Sequence, residues 1–274
     1  MNIFRDKKLF RNLAMQNHYV HYVKRKVRMR YRKDERHYFY SQEQQVDEGF
    51  EIPKYHVTKQ ISGPPSRIAI GDIIWLFSVL KSPWGCTPPS LDGKLKIDSI
   101  KKTKDGYFEY LGNAESRWYM LNNATLALQK LKSINNNNVI KPIMTKGLSI
   151  GQSLQGIRAL QNPECLIDYS DLVQKSKFDF ISYRIKDGTK RAFLKVLKLL
   201  NEGNIVFWDR YSLPRRLAER REYVSNEKLD SYLLKKLADS KQVWGIESRK
   251  YAESGSYSFK EYEEAIRLNK YSAV

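Results

Sequence analysis

Cysteine is scarce in this chain. Only two of the 274 residues are cysteines, Cys86 and Cys165, and their spacing fits neither a metal site nor a disulfide framework. The longest apolar run, from Ile73 to Leu80, is far shorter than the roughly 20 residues that cross a bilayer. The first residues lack the apolar core of a signal peptide. We therefore expect no membrane association and a protein of the reducing cytoplasm.

Histidine is also rare, with four copies. His18 and His21 have a spacing that could place two ligands on one helix face, but no third ligand follows at a suitable distance. We expect surface or packing histidines and no bound metal. The segment Gly151-x-x-x-x-Gly156 lacks the Lys-Ser/Thr pair of a P-loop, and the Gly-x-Ser-x-Gly sequence of many hydrolases is absent.

Acidic residues are outnumbered, 30 against 49 Lys and Arg, which leaves a net charge of +19. Charge of this size attracts polyanions, so it favours nucleic acid as a partner, and the charge alone leaves an anionic membrane surface as the alternative. The densest stretch is flanked by tyrosines, which suits phosphate contacts beside stacking platforms. A solvated basic helix whose Tyr19, Tyr22 and Val23 face a core explains the same pattern, and both interpretations stay open. The cations of the stretch are Lys24, Arg25, Lys26, Arg28, Arg30, Arg32 and Lys33.

The first part of the chain predicts an α+β domain over residues 1–172. Residues 1–40 have the pattern of a basic helix, residues 41–65 are rich in loop formers, and residues 68–111 alternate as strands. A further helix is expected after Ser149, ending near Asn162. We expect this domain to sense a nucleotide or a nucleic acid.

Three short segments in this domain resemble PUA-like β-barrels, which hold modified bases or nucleotides. They are Gly71-Asp72-Ile73-Ile74-Trp75, Trp84-Gly85 and Arg117-Trp118-Tyr119. The resemblance implies a β-barrel with helices. The tryptophans would then line a base pocket or, as is more common in small barrels, fill the core.

Residues 177–274 alternate between apolar strands and amphipathic helices. This alternation predicts a parallel α/β sheet, whose ligands bind beyond the carboxyl ends of the strands. Ser182 and Tyr183 end one predicted strand, and Trp208 and Asp209 end the next. The predicted elements are a strand over 178–183, a helix over 190–202, a strand over 205–208, a helix around Leu233 and Leu237, and a strand over 243–246.

In the same segment, an ordered set of motifs resembles a Toll/interleukin-1 receptor (TIR) domain. The motifs are Asp179-Phe180-Ile181-Ser182-Tyr183, Phe207-Trp208-Asp209, Ser248-x-x-Tyr251-x-x-Ser254 and Tyr257-x-x-x-Glu261. The resemblance covers residues 177–267 and implies a flavodoxin-like α/β domain. Because the chain ends soon after Glu261, we expect a small parallel sheet of three or four strands.

Many bacterial TIR domains split NAD, so the resemblance implies an NAD glycohydrolase (NADase) active in anti-phage or stress responses. NAD is then a substrate, no cofactor is held permanently, and the active form is a homo-oligomer. Glu261 takes the catalytic position, and Tyr257 walls the pocket where the family usually has tryptophan. The product is open between hydrolysis and cyclisation. The implied substrate-binding residues are Ser182, Tyr183 and Arg184, together with Trp208, Asp209 and Arg210 at the start of a covering loop.

Two alternatives stay open at this point. Glu261, Glu263 and Glu264 share one helix and could all be surface carboxylates, since glutamate is a good helix former. Only Glu261 lies four residues after Tyr257, on the same helix face. The whole segment could also be a catalytically silent TIR-like adaptor that binds nucleic acid or a protein partner, which would have no need for a glutamate beside an aromatic ring.

Overall fold

The chain folds into a mixed α+β structure with two sheets. The computed structural model describes residues 16–26, 55–60, 62–104, 106–135, 139–212, 226–248, 250–254 and 256–274. A ten-stranded mixed sheet is built from residues 18–160, and a four-stranded parallel sheet follows from residues 179–273. The expected α+β class and the small parallel sheet are both observed.

The larger sheet runs in the order β2-β6-β5-β3-β1-β10-β8-β9, with β4 paired to β3 and β7 paired to β5. Its strands are β1 (His18–Lys26), β2 (Tyr55–Thr58), β3 (Ile73–Ser82), β4 (Gly85–Cys86), β5 (Ser90–Lys102), β6 (Phe108–Gly112), β7 (Arg117–Trp118), β8 (Lys132–Ile134), β9 (Ile140–Pro142) and β10 (Arg158–Leu160). Among the described strands, β2 and β9 lie at opposite ends of this order, and each pairs with one neighbouring strand only. The sheet is therefore open, and the barrel implied by the PUA resemblance is not seen.

The strand β1 lies at the centre of this sheet, although the sequence predicted a basic helix there. It pairs in parallel with β3 along its whole length and antiparallel with β10. Tyr19 and Val23 pack on one face of the sheet, whereas Val20 and Tyr22 pack on the other. A strand buried on both faces reads as a near-continuous apolar run, which periodicity alone does not distinguish from a buried helix segment.

The basic stretch is only partly described. Lys24, Arg25 and Lys26 form the last three residues of β1, opposite Val79, Leu80 and Lys81 of β3. The backbone of these three residues is thus committed to a strand, which excludes the solvated-helix interpretation for them. The remaining cations, Arg28, Arg30, Arg32 and Lys33, lie outside the described residues.

The three tryptophans of the PUA-like segments do not form one pocket. Trp75 is buried in the cluster that contains Val20, whereas Trp118 packs against the cluster on the opposite face of β1. Trp84 packs against a third cluster together with Phe193. These positions favour the core interpretation of the tryptophans.

Short helices complete the first part of the chain. The helix predicted after Ser149 begins there with a capping box between Ser149 and Gln152, but it ends at Ser153. The following residues form β10 instead, because their backbone pairs with both β1 and β8. The regular helices are α1 (Thr125–Lys130), α2 (Ile150–Ser153) and α3 (Glu164–Lys175), and Pro64–Arg67 forms a 3-10 turn.

The smaller sheet has the order β12-β11-β13-β14, and all three pairings are parallel. Its strands are β11 (Asp179–Tyr183), β12 (Val206–Phe207), β13 (Gln242–Ile246) and β14 (Tyr271–Ala273). The helices between them are α4 (Ile185–Asn201), α5 (Asp209–Ser212), α6 (Asn226–Asp239) and α7 (Tyr257–Arg267). The last strand was not predicted. It follows α7 after a turn in which Asn269 has a φ of 52°.

The two sheets share one hydrophobic core. A single buried cluster contains Val20 and Trp75 from the larger sheet and Phe180 and Phe207 from the smaller one. The edge strand β12 is also hydrogen-bonded across the boundary: Leu121 N donates to Val206 O at 3.1 Å, and Val206 N donates to Leu121 O at 2.8 Å. The segment that follows β7 therefore covers an edge of the smaller sheet that would otherwise be open.

We predict that a fragment beginning at about residue 176 aggregates when it is expressed alone. Four short strands cannot bury both faces of their sheet, and removal of the first part uncovers Phe180, Phe207 and the β12 edge. Sedimentation of the lysate and size-exclusion chromatography measure the outcome. Co-expression with residues 1–172 is expected to restore solubility. A stable, monomeric fragment would show that the two parts fold independently.

A buried pair of histidines joins β1 to β2. His21 Nδ1 and His56 Nε2 are 2.7 Å apart, so one ring donates a hydrogen bond to the other. The rings meet edge to face, with their centroids 4.9 Å apart. Burial lowers the pKa of His21 from 6.5 to about 4, and it holds the pKa of His56 well below 6.5. Both rings are therefore neutral at physiological pH and serve as packing groups.

This pair predicts acid sensitivity. Between pH 6.5 and about 4 the unfolded chain binds protons that folded His21 does not bind, so the free energy of unfolding falls as the pH falls. Each histidine contributes a slope of at most about 1.4 kcal/mol per pH unit. Urea unfolding of the parent and of the His21→Gln/His56→Gln variant across this range measures it. The variant is less stable at neutral pH but should show the flatter slope; equal slopes would contradict the assignment.

Candidate functional site

The candidate site lies at the carboxyl ends of β11 and β12. Ser182 and Tyr183 are the last two residues of β11, and Asp209 follows β12 as the first residue of α5. Because parallel strands end at the same edge of a sheet, these side chains lie close together. Helix α7 packs against β11 and brings Glu261 to the same edge.

Glu261 is held by a directed chain of hydrogen bonds. The Tyr251 hydroxyl donates to Ser182 Oγ at 2.7 Å, and Ser182 Oγ donates to Glu261 Oε2 at 2.6 Å. Ser182 is fully buried and Tyr251 is 3% exposed. Because Ser182 accepts the proton of Tyr251, its own proton is directed at Glu261. The position of the carboxyl group is therefore set by β11 and by the loop that carries Tyr251.

The environment of Glu261 favours the protonated acid. Burial of the carboxyl group is the main cause that raises its pKa from 4.5 to about 8, and the negative charges of Asp209 and Asp230 add to this effect. The hydrogen bond from Ser182 acts in the opposite direction. The residue as a whole keeps a partly exposed surface. A carboxyl group whose pKa is raised by burial is typical of a functional site.

Tyr183 and Asp209 form the second contact of the site. The Tyr183 hydroxyl donates to Asp209 Oδ1 at 2.7 Å, which links the end of β11 to the start of α5. Trp208 has a different place from the one expected. It is fully buried between Tyr183 and Phe193, with ring centroids about 6 Å apart, so it packs beneath the site rather than beginning a cover over it.

Arg184 lies beside the site and is already paired. It precedes the first residue of α4, with Asp187 Oδ2 at 3.3 Å and Glu253 Oε2 at 3.8 Å from its guanidinium nitrogens. An anionic ligand could exchange with these exposed carboxylates. The side chain of Arg210 lies outside the described residues, as do the arginines of the segment 213–225.

The carboxylates of α7 are not equivalent. Glu261 contacts β11, whereas Glu263 is exposed. Glu264 forms a two-point ion pair with Arg267 at 2.7 and 2.6 Å, which lowers the pKa of Glu264. Tyr257 begins the helix one turn before Glu261, half-buried, with the Lys260 ammonium 5.9 Å from its ring centroid.

Two residues of the site had no role in the sequence interpretation. Tyr251 stood within a quoted motif, but only the fold shows that its hydroxyl reaches Ser182. Its ring also meets Tyr262 edge-on at 6.3 Å, and Tyr262 meets Tyr271 of β14 at 5.0 Å. Asp230 of α6 lies 2.6 Å from the Lys260 ammonium and adds negative charge near Glu261. Its sequence context carries no signal of this position.

Comparison with protein-family models, with curated proteins and with solved structures returned no match to this chain. In the parts of the chain that the structure describes, no helix is both long and apolar enough to cross a membrane. Across the same ranges, no three His, Cys, Asp or Glu residues cluster in a way that could hold a metal ion.

The raised pKa of Glu261 predicts a stability cost at high pH. Between pH 4.5 and about 8 the folded protein keeps a proton that the unfolded chain releases, so this residue's contribution to the unfolding free energy falls as the pH rises. Glu261→Gln removes that dependence. The difference in melting temperature between this variant and the parent is measured at about pH 5 and at about pH 9. It should change in favour of the variant by at least about 2–4 °C between the two pH values.

Glu263→Gln is the matched control, because Glu263 lies exposed on the same helix. Its melting temperature should follow that of the parent at both pH values. A parallel response of the two variants would show that the Glu261 carboxyl is not buried as described.

Proposed function

We propose that residues 177–274 form a TIR-like catalytic domain that cleaves the bond between nicotinamide and ribose in NAD. The observation that carries the proposal is the contact between Ser182 and Glu261. It joins the serine of the first TIR-like motif to the glutamate of the last, although 79 positions separate them in the chain. The parallel order β12-β11-β13-β14 is the flavodoxin-like order that the resemblance implies.

The chemistry of this cleavage matches what Glu261 offers. Loss of nicotinamide from NAD, whose nicotinamide ring carries a positive charge, develops oxocarbenium character on the ribose, and a neutral ring leaves. A carboxylate close to the ribose stabilises that charge, and a site shielded from water strengthens the effect. The positive charge that develops on the ribose lowers the pKa of Glu261, so the proton is released to solvent as the transition state forms. An acid in the free protein thus becomes a carboxylate in the transition state.

The surrounding residues divide the remaining tasks. Tyr183 and Asp209 present a hydroxyl and a carboxylate that can bind the ribose hydroxyls. Arg184 can pair with the diphosphate after releasing Asp187 and Glu253. Tyr257 stands one turn before Glu261, where its ring can wall the nicotinamide. Trp208 supports this arrangement from beneath through its contact with Tyr183.

The first part of the chain is the proposed sensor. We infer that its basic surface receives a nucleotide or nucleic-acid signal in the cytoplasm, and that NAD is then consumed by hydrolysis or cyclisation in a homo-oligomer. The net charge of +19 supports a polyanionic signal. An anti-phage or stress response is the setting that fits NAD consumption triggered by such a signal.

The replacement Glu261→Gln is expected to lower NAD turnover by roughly a hundredfold or more. Glutamine keeps the size and helix propensity of glutamate but lacks the negative charge that the transition state needs. Because that charge acts mainly in the transition state, dinucleotide affinity should change little. Nicotinamide release by the purified protein, at high concentration and with or without nucleic acid, measures the turnover.

Two controls accompany this measurement. Glu263→Gln, exposed on the same helix, should retain parental turnover. In the parent, kcat/KM should rise with pH along a curve whose midpoint is about 8, because that profile reports ionisation of Glu261 in the free protein. If the parent releases no nicotinamide in any assembly state, the enzyme proposal fails and the adaptor hypothesis takes its place.

A further inference from the structure

A second buried polar network lies at the boundary between the two sheets. At its centre is Asp92 of β5, which is 1% exposed. Ser78 Oγ of β3 donates to Asp92 Oδ1 at 2.8 Å. The same oxygen accepts a hydrogen bond from the hydroxyl of Tyr211, a residue of α5. The larger sheet therefore binds a side chain of α5, the helical turn that also carries Asp209 of the candidate site.

The hydrogen bonds of this network have a fixed direction. Tyr211 has one hydroxyl proton, which is donated to Asp92. Ser90 Oγ, 3.0 Å from the Tyr211 hydroxyl, must then donate to it, and Ser90 in turn accepts from Asn122 N at 3.2 Å. Ser90 is fully buried and Tyr211 is 3% exposed, so solvent does not replace these bonds. A directed network of this kind defines one position for Tyr211.

The same turn of helix carries Asp209. Helix α5 spans only Asp209–Ser212, and the amides of Tyr211 and Ser212 both donate to Trp208 O, at 2.9 and 2.8 Å. The turn has two side-chain attachments that face different partners. Tyr211 binds Asp92 of the larger sheet, and Asp209 binds Tyr183 of the smaller sheet. A displacement of one attachment is transmitted to the other through less than one turn of backbone.

We propose that Asp92 is a positioning residue for the candidate site: through Tyr211 it holds the α5 turn in the place where Asp209 meets Tyr183 and faces Glu261. A buried carboxylate is a costly way to join two surfaces, since well-packed apolar groups of similar volume are often at least as stabilising. What the carboxylate adds is a single defined position for its hydroxyl partner. The larger sheet thereby contributes to the site without touching a substrate.

The titration of Glu261 reports this geometry. The groups that face its carboxyl are Ser182 of β11, Tyr251 of the following loop, Asp209 of α5 and Asp230 of α6. Of these, Asp209 alone is attached to the Asp92 network. If Tyr211 is released and Asp209 moves away, one negative charge leaves the surroundings of Glu261, and its pKa falls.

The test uses the full chain with Tyr211→Phe, Asp209→Asn and the double variant. The protonated-carboxyl infrared band, assigned by subtraction of the spectrum of the matching Glu261→Gln protein, gives the midpoint of Glu261 across pH. Asp209→Asn should lower this midpoint by roughly half a unit or more. Tyr211→Phe should lower it in the same direction, and adding it to Asp209→Asn should produce no further shift.

Tyr110→Phe is the matched control. It removes another buried tyrosine hydroxyl, which donates from β6 to Pro65 O of the 3-10 turn at 2.9 Å. It should destabilise the protein without moving the Glu261 midpoint. Two results would overturn the proposal. One is an unchanged Glu261 midpoint in Tyr211→Phe, and the other is that Tyr211→Phe shifts the midpoint equally with Asp209 and with Asn at position 209. In either case the network is a packing contact.

The proposal rests on the proposed function only in treating this pocket as an active site. The infrared midpoint needs no substrate, so it decides the positioning role even if NAD is never cleaved. Where NAD cleavage is present, Tyr211→Phe should lower kcat about tenfold with little change in KM, since it disturbs placement rather than contact. A midpoint shift without any NAD cleavage would support Asp92 as a positioning residue and reject NAD as the substrate.

Discussion

The hydrophobic cluster shared by the two sheets is the constraint on which the remaining structure depends. The smaller sheet has four short strands, and its edge strand β12 has only two residues. Burial of Phe180 and Phe207 together with Val20 and Trp75 stabilises it, and the backbone bonds to Leu121 close its edge. A small parallel sheet of this kind is stable only as part of a larger body.

This shared core explains why polar groups can be buried at the boundary without loss of order. Asp92, Tyr211 and Ser90 lie where the two sheets meet, and each is satisfied by a partner in that region. The helical turn that carries Tyr211 also carries Asp209 of the candidate site. Its chemistry depends on burial as well, because the raised pKa of Glu261 is mainly an effect of desolvation. Burial of side chains therefore stabilises the smaller sheet and also raises the pKa of Glu261.

The Glu261 environment also illustrates a balance between stability and function. A carboxyl group near Asp209 and Asp230 is costly to ionise, and the hydrogen bond from Ser182 offsets only part of that cost. Surface placement on α7, as for Glu263, would avoid the cost. This costly position is useful where a positive charge develops beside the carboxyl group. That property connects the geometry to the proposed cleavage of NAD.

The sequence by itself determined the elements whose pattern is local. The alternation of strands and helices after residue 177, the end of α4 at Asn201 and the end of β11 at Tyr183 follow from short-range periodicity and stop signals. Only the tertiary structure decided that β1 is a central strand, that the larger sheet is open, and that Tyr251 and Asp92 reach their partners. Those features depend on pairing between residues far apart in the chain, and a strand buried on both faces carries no alternation that distinguishes it from a helix.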